Sequence, residues 1–322
     1  MKLLRIIGLA AALASAGAVA QTRWDLPAAY PANNFHTENL VQFASDVDKA
    51  TGGKLTITVH ANASLFKAPE IKRAVQGNQA QLGEVLISNY ANENPLFGVD
   101  VLPFVATSYD DAFKLYQASR PALDKLLDSQ GMKLLFAVPW PPQGLYSKKA
   151  LDGASDLKGM KFRAYNPATA KIADMFGAQP VTIQAAELSQ AMATGAVESY
   201  ISSGSTGYDT KTFEHLKYWY DTQAWLPKNL VIANKKALAE LDEPTRQALL
   251  KVAAEAETRG WKISREKNDW YANELKKNGM QVLPPSDKMK AEFKKVGDAM
   301  VDEWLKKTGA QGKTILDAYE KM

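Results

Sequence analysis

The chain has 322 residues, no cysteine and a formal net charge of +4. The missing cysteines exclude disulfides, thiol catalysis and cysteine-ligated zinc, and so balanced a charge gives no reason to expect nucleic acid or an anionic membrane as partner. Met1–Arg5 carries Lys2 and Arg5, Ile6–Ala18 is apolar and small, and Ala18-Val19-Ala20 precedes Gln21. This succession predicts a cleaved secretory signal peptide over residues 1–20, and hence a periplasmic protein. Its apolar run is shorter than the roughly 20 residues of a membrane span. Without Lys2 and Arg5 the basic residues number 37 against 35 acidic, a net charge of +2. Roughly 300 remaining residues can bury a sufficient core without disulfides, most simply as two lobes.

Strand and helix patterns then alternate, which predicts an α/β protein with largely parallel sheets. Arg23 to Leu26 reads as a first strand. His36 to Ala50 carries Leu40, Phe43, Ala44 and Val47 at helical spacing and stops at Gly52-Gly53. Lys54 to His60 alternates as a half-buried strand. A short helix covers Pro69 to Gln76, a strand Gly83 to Ile87, and a helix capped by Ser108-x-x-Asp111 covers Ala112 to Ala118. Lys133 to Val138 is a buried strand. Met160 to Tyr165 is another, followed by Asn166 as N-cap, Pro167 at the first helical position and Gly177 as terminator. Pro180 to Thr182, Val197 to Ile201, Tyr218 to Thr222 and Leu230 to Ala233 read as strands, and Ala185 to Thr194 as a helix. Glu243 to Asn278 is helix-forming over a length that can link two lobes, with Gly260 as an expected bend. Ser286 to Met322 reads as one or two helices.

In open α/β sheets ligands sit beyond the carboxyl ends of strands. That rule points to Phe35 and His36, to Ser88 and Asn89, to Trp140 and Gln143, to Arg163, to Ser202 and its neighbours, and to Trp225. Arg163 is the sharpest candidate. Alternation puts it on one strand face with Lys161 and Tyr165, away from Phe162 and Ala164. Its planar fork suits a carboxylate, and a helix N-terminus follows at once. A surface arginine paired with an acid is the blander alternative. His36, His60 and His215 are scattered, so no metal set is expected, and no cofactor motif occurs. No nucleophile elbow surrounds Gly144, and neither Glu198 nor Asp209 has an acid–base partner in the sequence.

At these residues the chain resembles the solute-binding proteins of TRAP (tripartite ATP-independent periplasmic) transporters. The likeness is carried by Asp156-Leu157-Lys158-Gly159-Met160-Lys161-Phe162-Arg163, by Gly177-Ala178-Gln179-Pro180-Val181, by Glu187-Leu188-Ser189-Gln190-Ala191 and by Thr194-Gly195-Ala196-Val197-Glu198. Thr51-Gly52-Gly53-Lys54-Leu55 and Leu102-Pro103-Phe104 support it. The resemblance implies a two-lobed fold like that of periplasmic binding proteins, with a ligand cleft between the lobes and a long helix linking them. It implies that Arg163 pairs with a ligand carboxylate and that Ser202 or a neighbour contacts ligand. A second arginine of that family falls on Gln143, which removes one positive charge and turns the expectation away from dicarboxylates.

The expectation is therefore a binding protein without catalysis. It would capture a small monocarboxylate with an apolar or aromatic body and hand it to TRAP membrane subunits. Residues 21–141 and 228–262 would form lobe I, and 142–227 and 263–322 lobe II. The chain would cross between them near Trp140–Gly144, Gln223–Lys228 and Gly260–Lys262. Two alternatives are a ligand-sensing partner of a membrane sensor kinase, and a periplasmic enzyme acting on a carboxylate with His36 or Glu93 as base.

Overall fold

A computed structural model describes residues 21–322, and the signal peptide expected at 1–20 lies outside the described residues. Strand β1 (Thr22–Pro27) leads through α1 (Phe35–Ala50) to β2 (Leu55–His60), which pairs with it in parallel. Leu40, Phe43 and Val47, three of the four apolar positions read at helical spacing, are buried in the core beneath that pair. After α2 (Ile71–Gln76), β3 (Leu82–Leu86), α3 (Tyr109–Ser129) and β4 (Met132–Pro139), the chain leaves this lobe.

The other lobe begins with β5 (Gln143–Ser147) and continues through β6 (Lys161–Ala164), α4 (Pro167–Met175), β7 (Gln179–Thr182), α5 (Leu188–Ala193), β8 (Ser199–Ser203), α6 (Gly204–Asp209) and β9 (Tyr218–Tyr220). Strand β10 (Lys228–Asn234) and α7 (Lys235–Glu240) return to the first lobe, and α8 (Glu243–Lys277) spans both. Strand β11 (Gln281–Leu283), α9 (Asp287–Thr308) and α10 (Ala310–Glu320) close the chain.

The sheets are mixed rather than largely parallel. Of the two sheets larger than the β1-β2 pair, one runs β3-β10-β4 and is antiparallel throughout, because β10 arrives from the opposite lobe and inserts between strands made earlier. The other runs β11-β9-β5-β8-β6-β7. Its parallel pairs are β11 with β9, β6 with β8 and β6 with β7, while β5 is antiparallel to both neighbours. Strand β5 enters from β4 of the other sheet through Trp140-Pro141-Pro142 and runs against β8 and β9.

Two of the links between the lobes lie side by side. Trp140 N donates to Pro227 O (2.8 Å), Gln143 N to Trp225 O (3.0 Å) and Ala224 N to Gln143 O (3.0 Å). Phe104 N donates to Ala224 O (2.8 Å), and both Phe104 and Gln223 have positive φ, a backbone region that side chains with a Cβ adopt at a cost. Lys228 at the return is buried with Asp100, whose Oδ2 accepts from the Lys228 N–H at 2.7 Å.

Three helices depart from their expected course. Helix α3 runs well past Ala118 with Pro121 inside it, because Leu123 and Leu127 carry the buried stripe onward. Helix α10 turns back after α9. It lies along α3, with Ile315 buried beside Leu115 and the Tyr319 hydroxyl donating to Val105 O (2.8 Å). Helix α8 is continuous through Gly260, which serves close packing instead of a bend.

A Cβ at Gly260 would sit 2.4 Å from Val138 Cγ2 and 3.0 Å from Asn39 Nδ2. Val138 is β-branched and fixed in a buried strand, so it cannot swing away. Gly→Ala in a helix normally gains up to about 1 kcal/mol, whereas overpacking costs about 1–3 kcal/mol. Gly260→Ala should therefore destabilise the protein by about 1–2 kcal/mol in urea denaturation. A stabilised variant would contradict this packing.

Candidate ligand-binding site

Strand β6 places Arg163 with its neighbours on opposite faces. Phe162 enters the core with Met289 and Phe293, while Arg163 turns toward the cleft. Asn166 caps α4 by accepting from Thr169 N (2.8 Å), with Pro167 behind it, as the sequence indicated. Arg163 is 3% exposed, and its Nε donates to Ile183 O (2.9 Å). Its guanidinium lies over the rings of Tyr165 (5.0 Å) and Tyr200 (5.8 Å). Among the described residues no carboxylate pairs with it. Burial pulls its pKa below the ordinary arginine value, and the nearby Tyr200, Tyr165 and Tyr30 act in the opposite direction. A buried cation without a protein anion is costly, and a ligand carboxylate would offset that cost.

The cleft in front of Arg163 holds about 450 Å³ of atom-free space, counting its open mouth. Tyr30, Leu86, Asn89 and Trp140 face it from one lobe; Gln143, Arg163, Tyr165, Ser202 and Thr206 face it from the other. Among the described residues Arg163 is the only charged one in the lining. The Gln143 carboxamide is held by the protein, accepting from Tyr165 Oη (3.2 Å) and donating to Pro141 O (3.0 Å).

Five of the nine residues named from the sequence line the cleft: Arg163, Gln143, Asn89, Trp140 and Ser202. The other four stand behind its wall. Phe35 is fully buried in the core and meets Trp140 edge-on at 5.7 Å. His36 packs on the Trp140 ring at 4.2 Å, so the strand-end rule overshot by placing it in the cleft. Ser88 Oγ accepts from Asn166 Nδ2 (2.9 Å) across the lobes. Trp225 Nε1 donates to Tyr165 Oη (3.3 Å) and thereby fixes a lining residue. A second bridge between the lobes runs from Asn34 Nδ2 to Asp209 Oδ2 (2.7 Å). The cleft is therefore closed in this structure.

Sequence reasoning missed Tyr30, because the chain bends into the wall directly after β1 and before the Asn33–His36 segment. It passed over Tyr165 as a lining residue, although alternation had already put it on the face of Arg163. It also missed Glu84, a buried acid in the middle of β3. The Glu84 Oε1 lies 3.6 Å from His36 Nδ1, while Glu84 Oε2 and His36 Nε2 have no hydrogen-bond partner among the described residues. Beside them Asn229 Oδ1 accepts from Trp140 Nε1 (2.8 Å). Burial lowers the His36 pKa, keeping the ring neutral, and pushes the Glu84 carboxyl up to about 7.

Two lobes closed over one buried cation in a small cleft define a receptor for small carboxylates. The chain belongs to the family described as bacterial extracellular solute-binding protein, family 7 (DctP), which matches residues 28–308. This is a family of extracytoplasmic transport receptors, not enzymes, and its TRAP members bind small organic acids and work with membrane subunits. The chain is 61% identical to DctP6, a Bordetella pertussis extracytoplasmic solute receptor binding pyroglutamic acid, with a TM-score of 0.93 over 94% of this chain and 100% of that one. It is 48% identical, at the same TM-score and coverage, to a marine metagenome TRAP solute-binding protein specific for pyroglutamate. It is 24% identical to the 2,3-diketo-L-gulonate-binding periplasmic protein YiaO of Escherichia coli, over 87% of this chain and 86% of the relative.

The buried acid behind Trp140 carries a pH signature. A carboxyl whose folded-state pKa is raised favours the protonated folded protein. Its contribution is full below the ordinary carboxylate range and is lost as pH rises through about 7. The stability of wild type relative to Glu84→Gln should fall by on the order of 2–3 kcal/mol between pH 5 and pH 8. Chemical denaturation of both proteins across that range measures it, and a difference independent of pH would refute the buried, protonated state.

Proposed function

We propose that this protein captures a small cyclic monocarboxylate, with pyroglutamate as the leading candidate, and delivers it to the membrane subunits of a TRAP transporter. The observation that carries this reading is Arg163, a buried cation without a protein counter-charge at a cleft of small volume. A second carboxylate would meet no second cation in this lining. Relatives at 61% and 48% identity that bind pyroglutamate support the same choice. In this reading Arg163 holds the carboxylate, Ser202, Asn89 and Gln143 meet the polar remainder, and Trp140 covers the ring. Phe35, His36, Ser88 and Trp225 position that set from behind.

Titration calorimetry with pyroglutamate should give saturable 1:1 binding, whereas succinate should bind far more weakly. Arg163→Ala leaves the ligand anion buried without a partner, a loss of about 2–5 kcal/mol, or roughly 30-fold and upward in affinity. Arg163→Lys should recover little, because an ammonium cannot reproduce the fork. An alanine variant with wild-type affinity would remove Arg163 from the role.

Residues 21–141 with 228–262 form one moving body in this proposal, and 142–227 with 263–308 the other, α10 riding with the first. Contacts from both bodies are needed to satisfy one ligand, so binding energy favours closure. Small-angle scattering should show a smaller radius of gyration at saturating pyroglutamate than without it. Identical curves, with spin-label distances between the lobes also unchanged, would argue against a hinge.

A further inference from the structure

Asn89 lies in a helical turn, Ile87–Tyr90, directly after β3. Both of its neighbours are anchored. Ser88 is tied across the cleft to Asn166, and the Tyr90 hydroxyl donates to Ala68 O (3.0 Å) while accepting from Lys72 N (3.3 Å). The Asn89 side chain between these anchors faces the cleft. Its Oδ1 is buried without a donor, and among the described residues its Nδ2 makes no hydrogen bond. By contrast, the carboxamides of Gln143 in the lining and of Asn166 beside it are engaged by protein partners, and the half-buried Gln184, also in the lining, has no buried atom left without a partner.

A buried carbonyl oxygen without a donor is rare, and in a ligand cleft its natural donor is the ligand. The occupant therefore needs two features: an anionic end for Arg163 and an N–H for Asn89. A primary carboxamide also presents its acceptor and donor side by side. The edge that matches both is a cis amide, in which N–H and C=O point the same way. A lactam ring fixes that geometry, and an open-chain secondary amide, which prefers trans, does not offer it. The flanking Ala68 and Leu86 leave an apolar seat for ring methylenes.

We propose that Asn89 is the specificity-determining residue of the cleft, selecting a lactam by accepting its N–H and donating to its C=O. This rests on the reading of the ligand as a small cyclic monocarboxylate. The prediction separates from that reading because one ligand atom can be exchanged alone. In 5-oxotetrahydrofuran-2-carboxylate a ring oxygen replaces the N–H of pyroglutamate, with charge, size and carbonyl retained. Sites built around a hydrogen bond reject analogues that lack it, here by about 100-fold or more.

Calorimetric titration of the purified protein with both compounds tests it. Wild type should prefer the lactam by about 100-fold or more. Asn89→Leu, similar in size, should lose most of its lactam affinity and discriminate less than about 5-fold; Asn89→Ser should do likewise, and both should melt near the wild-type temperature. Tight lactam binding with equal lactone binding by wild type would overturn the role of Asn89 and leave the ligand class standing. Full discrimination retained in either variant would do the same. Failure of wild type to bind pyroglutamate at all would overturn both.

Discussion

The structure depends on one unneutralised charge. Arg163 is buried in a strand, its guanidinium is flanked by aromatic rings, and no acid among the described residues answers it. A protein can maintain such an arrangement only where an anion is to arrive, since burying a single cation is among the least favourable events in folding. Much of the surrounding architecture follows. The strand lies between β8 and β7, and the charge is shielded from solvent. The facing wall comes from the other lobe and contributes aromatic and amide groups, not acids, so it does not compete with the ligand.

A second layer gives the wall its rigidity. Trp140 is gripped by Phe35 and His36 on its rings and by Asn229 at its indole nitrogen. Tyr165 is fixed between Trp225 and Gln143. A cleft whose lining groups are already held loses little freedom on binding, which is how modest contacts yield useful affinity. The same layer places an acid and a histidine out of solvent next to Trp140, so the wall is apolar on its cleft side and polar within.

Much of this was legible in the sequence because its periods are strong. The helical stripe of Leu40, Phe43 and Val47, the caps at Ser108 and Asn166, and the alternation around Arg163 each express a local rule, and each appears in the fold. The strand-end rule found the right segments but could not separate lining residues from those one layer back. That distinction is a matter of side-chain direction over about 5 Å, and a bend such as the one after β1 resets it. Strand β5 carries no strong strand signal, since it follows Pro141-Pro142 and is only five residues long. The antiparallel insertion of β10 is a pairing between distant segments, for which a single sequence carries no signal.

That insertion has a consequence for how the chain acquires its shape. In the sheet β3-β10-β4 the middle strand comes from residues 228–234, so β3 and β4 do not touch as ladder partners and have no common neighbour until residues 143–227 have been synthesised. The six-stranded sheet is nearly self-sufficient over residues 143–220, lacking only the short edge strand β11. The half of the molecule that begins the polypeptide is thus the half that must wait. Its exposed strand edges are a hazard during that interval, and the late arrival of β10 seals them in a single step.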